Sequence, residues 1–289
     1  MQENKLEMKD FVPNLLRRTE IPCMRLKLID TTPGIAESKF GGRGYVPHDA
    51  AIPTNSEGVQ MRLLAQIDCR QITIPDFPTS GLLQFWAIND DLTGCNFDNN
   101  TEQKDFRICY YETVDQTVTE EEVAAKEGNN LPCEEDFFPI EGCFGLKFEQ
   151  TTDRMSMCDY HFWEKIEQLM REFYPEQAEQ LLADEDAKEA FEEELEEYLD
   201  EQDEQDETPD WMPDAFGHKI GGYPGFSQED PRDIAAEDDH DVLLLQIDTD
   251  EAGEREIMWG DSGVANFFIS RENLKQRNFQ DVIYTWDCC

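Results

Sequence analysis

The pattern of this chain predicts an α+β fold, mainly β. It has an internally duplicated, pseudo-twofold β core and a helical acidic insertion between the two copies. Three observations lead there. Short apolar runs bounded by turn residues dominate both ends of the 289-residue chain. A stretch of different character, 159–207, carries apolar residues at helical spacing. Several short motifs recur about 180 positions apart. The resulting division is a β-rich half with an N-terminal helix over 1–158, the acidic helical insertion over 159–208, and a second β-rich half over 209–289. The two halves are expected to pack as one domain.

Residues 4–18 read as helix, restarted at Pro13 as a first-turn proline. From Cys23 to Asp30, Met24, Leu26 and Leu28 alternate with Arg25 and Lys27, a strand pattern. Pro33-Gly34 and Gly41-Gly42-Arg43-Gly44 mark turns. Strands follow at 61–68, 82–88, 106–113 and 144–150. Phe162, Ile166, Leu169, Met170 and Phe173 define a helix, and Pro175 breaks it or starts the next. From Asp184 to Glu207 there are 15 acidic residues and one lysine, yet Ala187, Phe191, Leu195, Tyr198 and Leu199 keep helical intervals. This is an acidic helix expected to fray near Asp203. Trp163 and Trp211 flank it and are expected to pack it onto the β body. Strands return at 242–248, 265–269 and 282–286, with a short helix at 271–276.

The repeat is specific. Gly41-Gly42 recurs as Gly221-Gly222, and Leu63-Leu64-x-Gln66-Ile67-Asp68 recurs as Leu243-Leu244-x-Gln246-Ile247-Asp248. Gly81 and Phe85 recur as Gly263 and Phe267. Gln66, Gln246, Asp68 and Asp248 end apolar strands. There the glutamines satisfy buried backbone groups and the aspartates cap turns, or the two aspartates form a shared acidic site for a metal or cation near the pseudo-axis.

Lysine plus arginine number 24 against 66 aspartates and glutamates, a net charge of −42. A field of that sign repels nucleic acid and anionic membrane surfaces and attracts basic proteins and cations. No apolar run has the length of a membrane span, and the first residues lack the pattern of a signal peptide. Nine scattered cysteines without a Cys-x-x-Cys pair suit a reducing cytoplasm. Gly260-Asp261-Ser262-Gly263 looks like a serine-protease nucleophile segment, but none of the four histidines stands in a matching context. Gly41-Gly42-Arg43-Gly44 is followed by Pro47 and more loop, where a phosphate cradle needs a helix N-terminus. Asp248-x-Asp250-x-x-Gly253 opens like a calcium loop whose fifth and twelfth positions are Ala252 and Trp259. The oxygen-rich run from Asn89 to Asn100 lacks ordered ligand spacing, and Cys158 with His161 is too small a set for zinc.

Several stretches resemble the YwqG-like family of bacterial proteins, a domain of unknown function. They are Lys39 to Pro47, Leu63 to Ile67, Ser80 to Phe85, His218 to Pro224, Leu244 to Asp248, Ile257 to Gly263 and Tyr284 to Cys288. Together they cover nearly the whole chain. Gly44 stands where the family pattern has proline before the tyrosine, which touches only the loop geometry. The resemblance implies a duplicated, mainly β fold, a bacterial cytosolic protein, and an immunity-like or partner-binding role. It implies no catalytic residues.

The expected function is therefore a non-enzymatic acidic binding protein for a basic protein partner, with no cofactor. The alternative is a metal-dependent enzyme or ligand-binding protein with a carboxylate site between the halves, built from Asp68, Asp248 and Asp261. The candidate binding residues are Gly41, Gly42, Gln66, Asp68, Gly221, Gly222, Gln246, Asp248, Trp259 and Asp261.

Overall fold

A computed structural model describes residues 7–128, 138–205, 207–232 and 239–289. Residues 4–6 of the expected first helix, Cys133, and Asp206 of the acidic run lie outside the described residues. The elements up to the insertion are α1 (Met8–Arg17), β1 (Ile21–Ile29), β2 (Lys39–Gly41), β3 (Arg62–Asp68), β4 (Leu82–Ala87), β5 (Phe106–Tyr111), α2 (Glu120–Ala124) and β6 (Cys143–Asp153). Then come α3 (Phe162–Phe173), α4 (Pro175–Leu181) and α5 (Glu185–Asp203). The chain closes with β7 (His218–Gly221), β8 (Val242–Asp248), β9 (Asp250–Ala252), β10 (Arg255–Ile257), β11 (Val264–Ile269), α6 (Arg271–Gln276) and β12 (Ile283–Asp287). Two compact units result. One comprises Pro22–Thr151, Phe216–Gly221 and Phe226–Cys289; the other comprises Met1–Ile21, Thr152–Ala215 and Gly222–Gly225.

The first unit holds a ten-stranded sheet in the order β12-β11-β8-β7-β1-β6-β2-β3-β4-β5, with β9 and β10 as a separate hairpin. The order is palindromic with respect to the repeat. β2 to β5 of the first copy mirror β7, β8, β11 and β12 of the second, around the central pair β1 and β6. Those two strands are exchanged. β1 precedes the first copy in the chain but pairs with β7, Cys23 opposite Gly221 and Leu26 opposite His218. β6 precedes the second copy but pairs with β2, Cys143 opposite Gly41 and Gly145 opposite Lys39. Cys23-x-x-Leu26-Lys27 thus has a counterpart in Cys143-x-x-Leu146-Lys147, 120 positions on.

This changes the place of the insertion. Each copy begins with its exchanged strand, so the helices lie inside the second copy, between β6 and β7, and not between the copies. The connection from β1 to β2 takes nine residues, 30–38; its counterpart, 154–217, holds α3, α4 and α5. That unequal length shifts the repeat offset from 120 to 180 and hides the first strand of each copy.

The inner faces of the two copies pack on each other. The Phe85 and Phe267 rings, equivalent positions, lie 4.8 Å apart, and Phe106 meets Tyr284 at 5.1 Å. Leu64 and Ile67 of one copy join Leu244 and Ile247 of the other in the same fully buried cluster. Each such side chain contributes roughly 1.5–3 kcal/mol by leaving water.

The second unit is helical. α1 buries Phe11, Val12, Leu15 and Leu16. Pro13 lies inside α1 rather than restarting it. The cost of its missing backbone donor is outweighed by that continuous apolar stripe. α3 buries Phe162, Ile166, Leu169 and Met170, and Pro175 starts α4. α5 is capped by Asp184, whose carboxylate accepts from the Ala187 amide at 2.9 Å, and buries Phe191, Leu195 and Leu199. Trp211 is 9% exposed and belongs to this helical core, where it stacks on Tyr198. Among the described residues no helix is long and apolar enough to cross a membrane.

Candidate functional site

The repeated polar residues form a buried lattice within each copy. Gln66 is fully buried at the centre of β3. Its Oε1 accepts from the Tyr45 amide and from Gln84 Nε2, both at 2.7 Å. Its Nε2 donates to the carbonyls of Ile35 (2.9 Å) and Glu37 (2.8 Å). Gln84 in turn donates to Tyr45 O and accepts from the Trp86 indole. In the second copy Gln246 donates to Gly217 O, the counterpart of Glu37 O. These amides tie an irregular loop to the sheet, and both ends of the Gln66 amide are satisfied, a structural task.

The glycine pairs serve the strand exchange. Gly41 and Gly42 have φ of 66° and 67°, Gly221 and Gly222 of 67° and 76°. A Cβ on Gly41 would fall 2.4 Å from the Gly142 carbonyl oxygen, and one on Gly221 2.6 Å from Ile74 Cδ1. Each left-handed turn lets the chain leave its strand beside the incoming strand of the other copy. Arg43 of the first turn is held by Glu127 at 2.6 and 3.0 Å and by Glu120 at 3.2 Å, so it is occupied by carboxylates. Lys39 and Lys219, buried in equivalent positions, escaped the sequence reading. Lys39 Nζ donates to the carbonyls of Gly34 (2.7 Å) and Arg43 (3.1 Å), bracketing the turn, and burial lowers its pKa below the ordinary lysine value. Their signal was the 180-residue offset itself.

Asp68 and Asp248 remain within their own copies, and in sheet order four strands separate β3 from β8. Asp68 accepts from the Arg70 amide at 3.0 Å and from the Arg70 guanidinium at 2.6–3.1 Å. Asp248 accepts from the Gly217 amide at 2.5 Å and the Thr249 amide at 2.8 Å. The backbone amide of each also has a matched partner, Ser38 Oγ at 2.8 Å in one copy and His218 Nδ1 at 2.9 Å in the other. Asp250 lies on the β9–β10 hairpin 3.3 Å from His218 Nε2, and that interaction lowers its pKa. Trp259 is 1% exposed and packs near Trp286, whereas Asp261 is exposed. The oxygen-rich loop spends Asp90 on the Gly94 amide and Asn96 on the amides of Asp98 and Asn99. Among the described residues no three His, Cys, Asp or Glu side chains gather as a metal ion requires.

The densest acidic charge lies on the helical unit. Its 89 residues carry a net −20 of the chain's −42. Ten carboxylates of α5 are exposed. The only lysine of α5, Lys188, already binds Glu167 of α3 at 2.6 Å. A groove of about 540 Å³ runs between α1 and α5. Glu194, Glu197 and Glu201 line it at one helical face. Met8 and Tyr198 supply its apolar lining, and Lys9 in the groove is paired with Glu7.

Residues 38–288 match the family described as a domain of unknown function, DUF1963. The chain belongs to that family. The DUF1963 match runs from the residue before β2 to the end of β12, so it takes in the helical insertion and the lattice of both copies. α1 and β1 lie ahead of the matched segment, although β1 completes the centre of the sheet. No curated protein matches the chain.

Proposed function

We propose that this DUF1963 protein is a non-enzymatic binding protein that takes a cationic protein partner on the acidic face of its helical unit, in an immunity-like, neutralising role. The observation that carries the reading is the row Glu194, Glu197 and Glu201 beside Met8 and Tyr198. An arginine or lysine side chain is apolar along its stem and charged at its head. The groove offers both surfaces at that spacing. The remaining exposed carboxylates of α5 add a long-range field that steers a basic partner toward it.

The test uses the full chain and a lysine- and arginine-rich peptide as probe. The Tyr198–Trp211 stack, with rings 6.0 Å apart, gives a fluorescence reporter at the groove. The triple variant Glu194→Gln, Glu197→Gln, Glu201→Gln is expected to slow association about tenfold at low salt, with the difference shrinking as salt rises. Equal association rates for the two proteins at low salt, or rates that ignore salt, defeat the reading.

A further inference from the structure

The internal duplication sets an arginine at the rim of the sheet in one copy beside a cavity at the corresponding rim of the other. In the second copy Arg25 of β1 lies opposite Lys219, and its guanidinium donates to the Phe216 carbonyl. The same guanidinium covers Gly217, with Nη1 3.3 Å from where a Cβ would stand. In the first copy the position equivalent to Arg25 is Gly145, opposite Lys39. The counterparts of Phe216 and Gly217 are Ala36 and Glu37. Between Gly145 and Ala36-Glu37 there is a cavity of about 790 Å³. Thr31 and Ile29 cover Gly145 itself, so no side chain of this chain could start from that position as Arg25 does; the cavity lies beyond them, beside Ala36 and Glu37 where the guanidinium head would come.

We infer that this cavity is a binding site for a guanidinium group. Its ionisable lining is Glu37, Asp68 and Arg70, a net −1, which matches a single positive charge. Arg70 is already held by Asp68, so the carboxylate left to a ligand is that of Glu37. Glu37 Oε2 accepts from the Gly34 amide at 2.6 Å, which positions the carboxylate. The Thr31 side chain packs over Gly145 and places a hydroxyl in the same wall. An anion would meet both this lining and the −42 field. A planar fork with several donors suits carbonyl, carboxylate and hydroxyl acceptors spread over a wall better than a compact ammonium does. The site lies on the sheet unit and stands or falls independently of the acidic groove.

The test is an NMR titration of the full chain with N-acetyl-arginine amide, free arginine and N-acetyl-lysine amide. Saturable shifts at Gly145 and Ala36 are expected with arginine amide at a dissociation constant of about 1 mM, at least about tenfold weaker with the lysine compound. Preference for the amide over free arginine assigns the group to a protein side chain, and the reverse assigns it to a small molecule. Absence of saturable shifts, or equal binding of lysine, overturns the inference. Glu37→Gln, at an exposed position, is expected to weaken arginine binding about fivefold; unchanged affinity overturns the site.

Discussion

The two copies of the sheet agree where the chain must be held and differ where it meets solvent. Gln66 and Gln246 are both fully buried, as are Phe85 and Phe267. The turn glycines adopt the same left-handed conformation in each copy. The residue that serves the amide of the aspartate has changed from Ser38 to His218 without changing its task. At the rim the likeness ends. Arg70 faces Asp68 in one copy, whereas Asp250 faces His218 in the other; Gly145 stands where Arg25 does. A residue kept in both copies is thereby marked as part of the scaffold. Gln66, Asp68, Gln246 and Asp248, for which the sequence offers a structural reading and, for the two aspartates, a shared acidic site, are all kept in both copies. The features that exist once, the helical insertion and the open cavity, are where binding is proposed.

The comparison can be broken at its turns. Gly41→Ala places a methyl against a backbone carbonyl that cannot move aside, and is expected to cost about 4 kcal/mol in urea unfolding. Gly221→Ala meets chiefly the end of Ile74, which can rotate, and should cost about half as much. Equal losses would show that conformational strain alone, not close approach of the exchanged strand, explains the glycines.

Gln66→Leu and Gln246→Leu are each expected to destabilise by about 3 kcal/mol, since buried loop carbonyls and amides lose their partners. A large loss in one copy only would show that the lattice is not equally built in both.

The copies also differ in a buried thiol. Thr249 stands at the counterpart of Cys69. Burial pushes the thiols of Cys69 and Cys95 up from the ordinary 9.0 to about 12. A folded-state pKa raised above the unfolded value gives stability that is complete below pH 9 and lost as pH rises toward 12. Circular dichroism is therefore expected to show alkaline unfolding in that window, displaced to higher pH by Cys69→Ala. An unshifted profile would assign the alkaline transition to other groups.

The smallest effect belongs to Ser38→Ala, which leaves the Asp68 amide without its side-chain acceptor at a cost of about 1 kcal/mol. Ser38→Asn, which keeps an acceptor oxygen at the same place, should recover part of that loss. No recovery would mean that the hydroxyl's other bond, to Gln71, matters more.

Much of the fold was legible along the chain. Strands β3, β4, β8 and β11 announce themselves as short apolar runs between turns, and α6 stands where the sequence sets a short helix at 271–276. β2 and β7 are not legible as strands, because three or four residues beside a glycine turn carry no period. The scaffold role of Gln66 was legible as one of two readings. Its four partners come from Tyr45, Gln84, Ile35 and Glu37, which no spacing rule connects.

What the sequence by itself determined is the local and the additive. Apolar period set the element types, the glycine pairs set the turns, the duplication followed from repeated residues, and the charge of −42 followed from counting. Only the tertiary structure decided which strand pairs with which. The exchange of β1 and β6 rests on contacts between residues about 100 to 200 positions apart, Gly41 with Cys143 and Gly221 with Cys23. The energy of such pairing lies in the register of two distant segments and in neither segment alone. The same holds for the cavity beside Gly145, since such a space is defined by its neighbours in three dimensions and not by its neighbours along the chain.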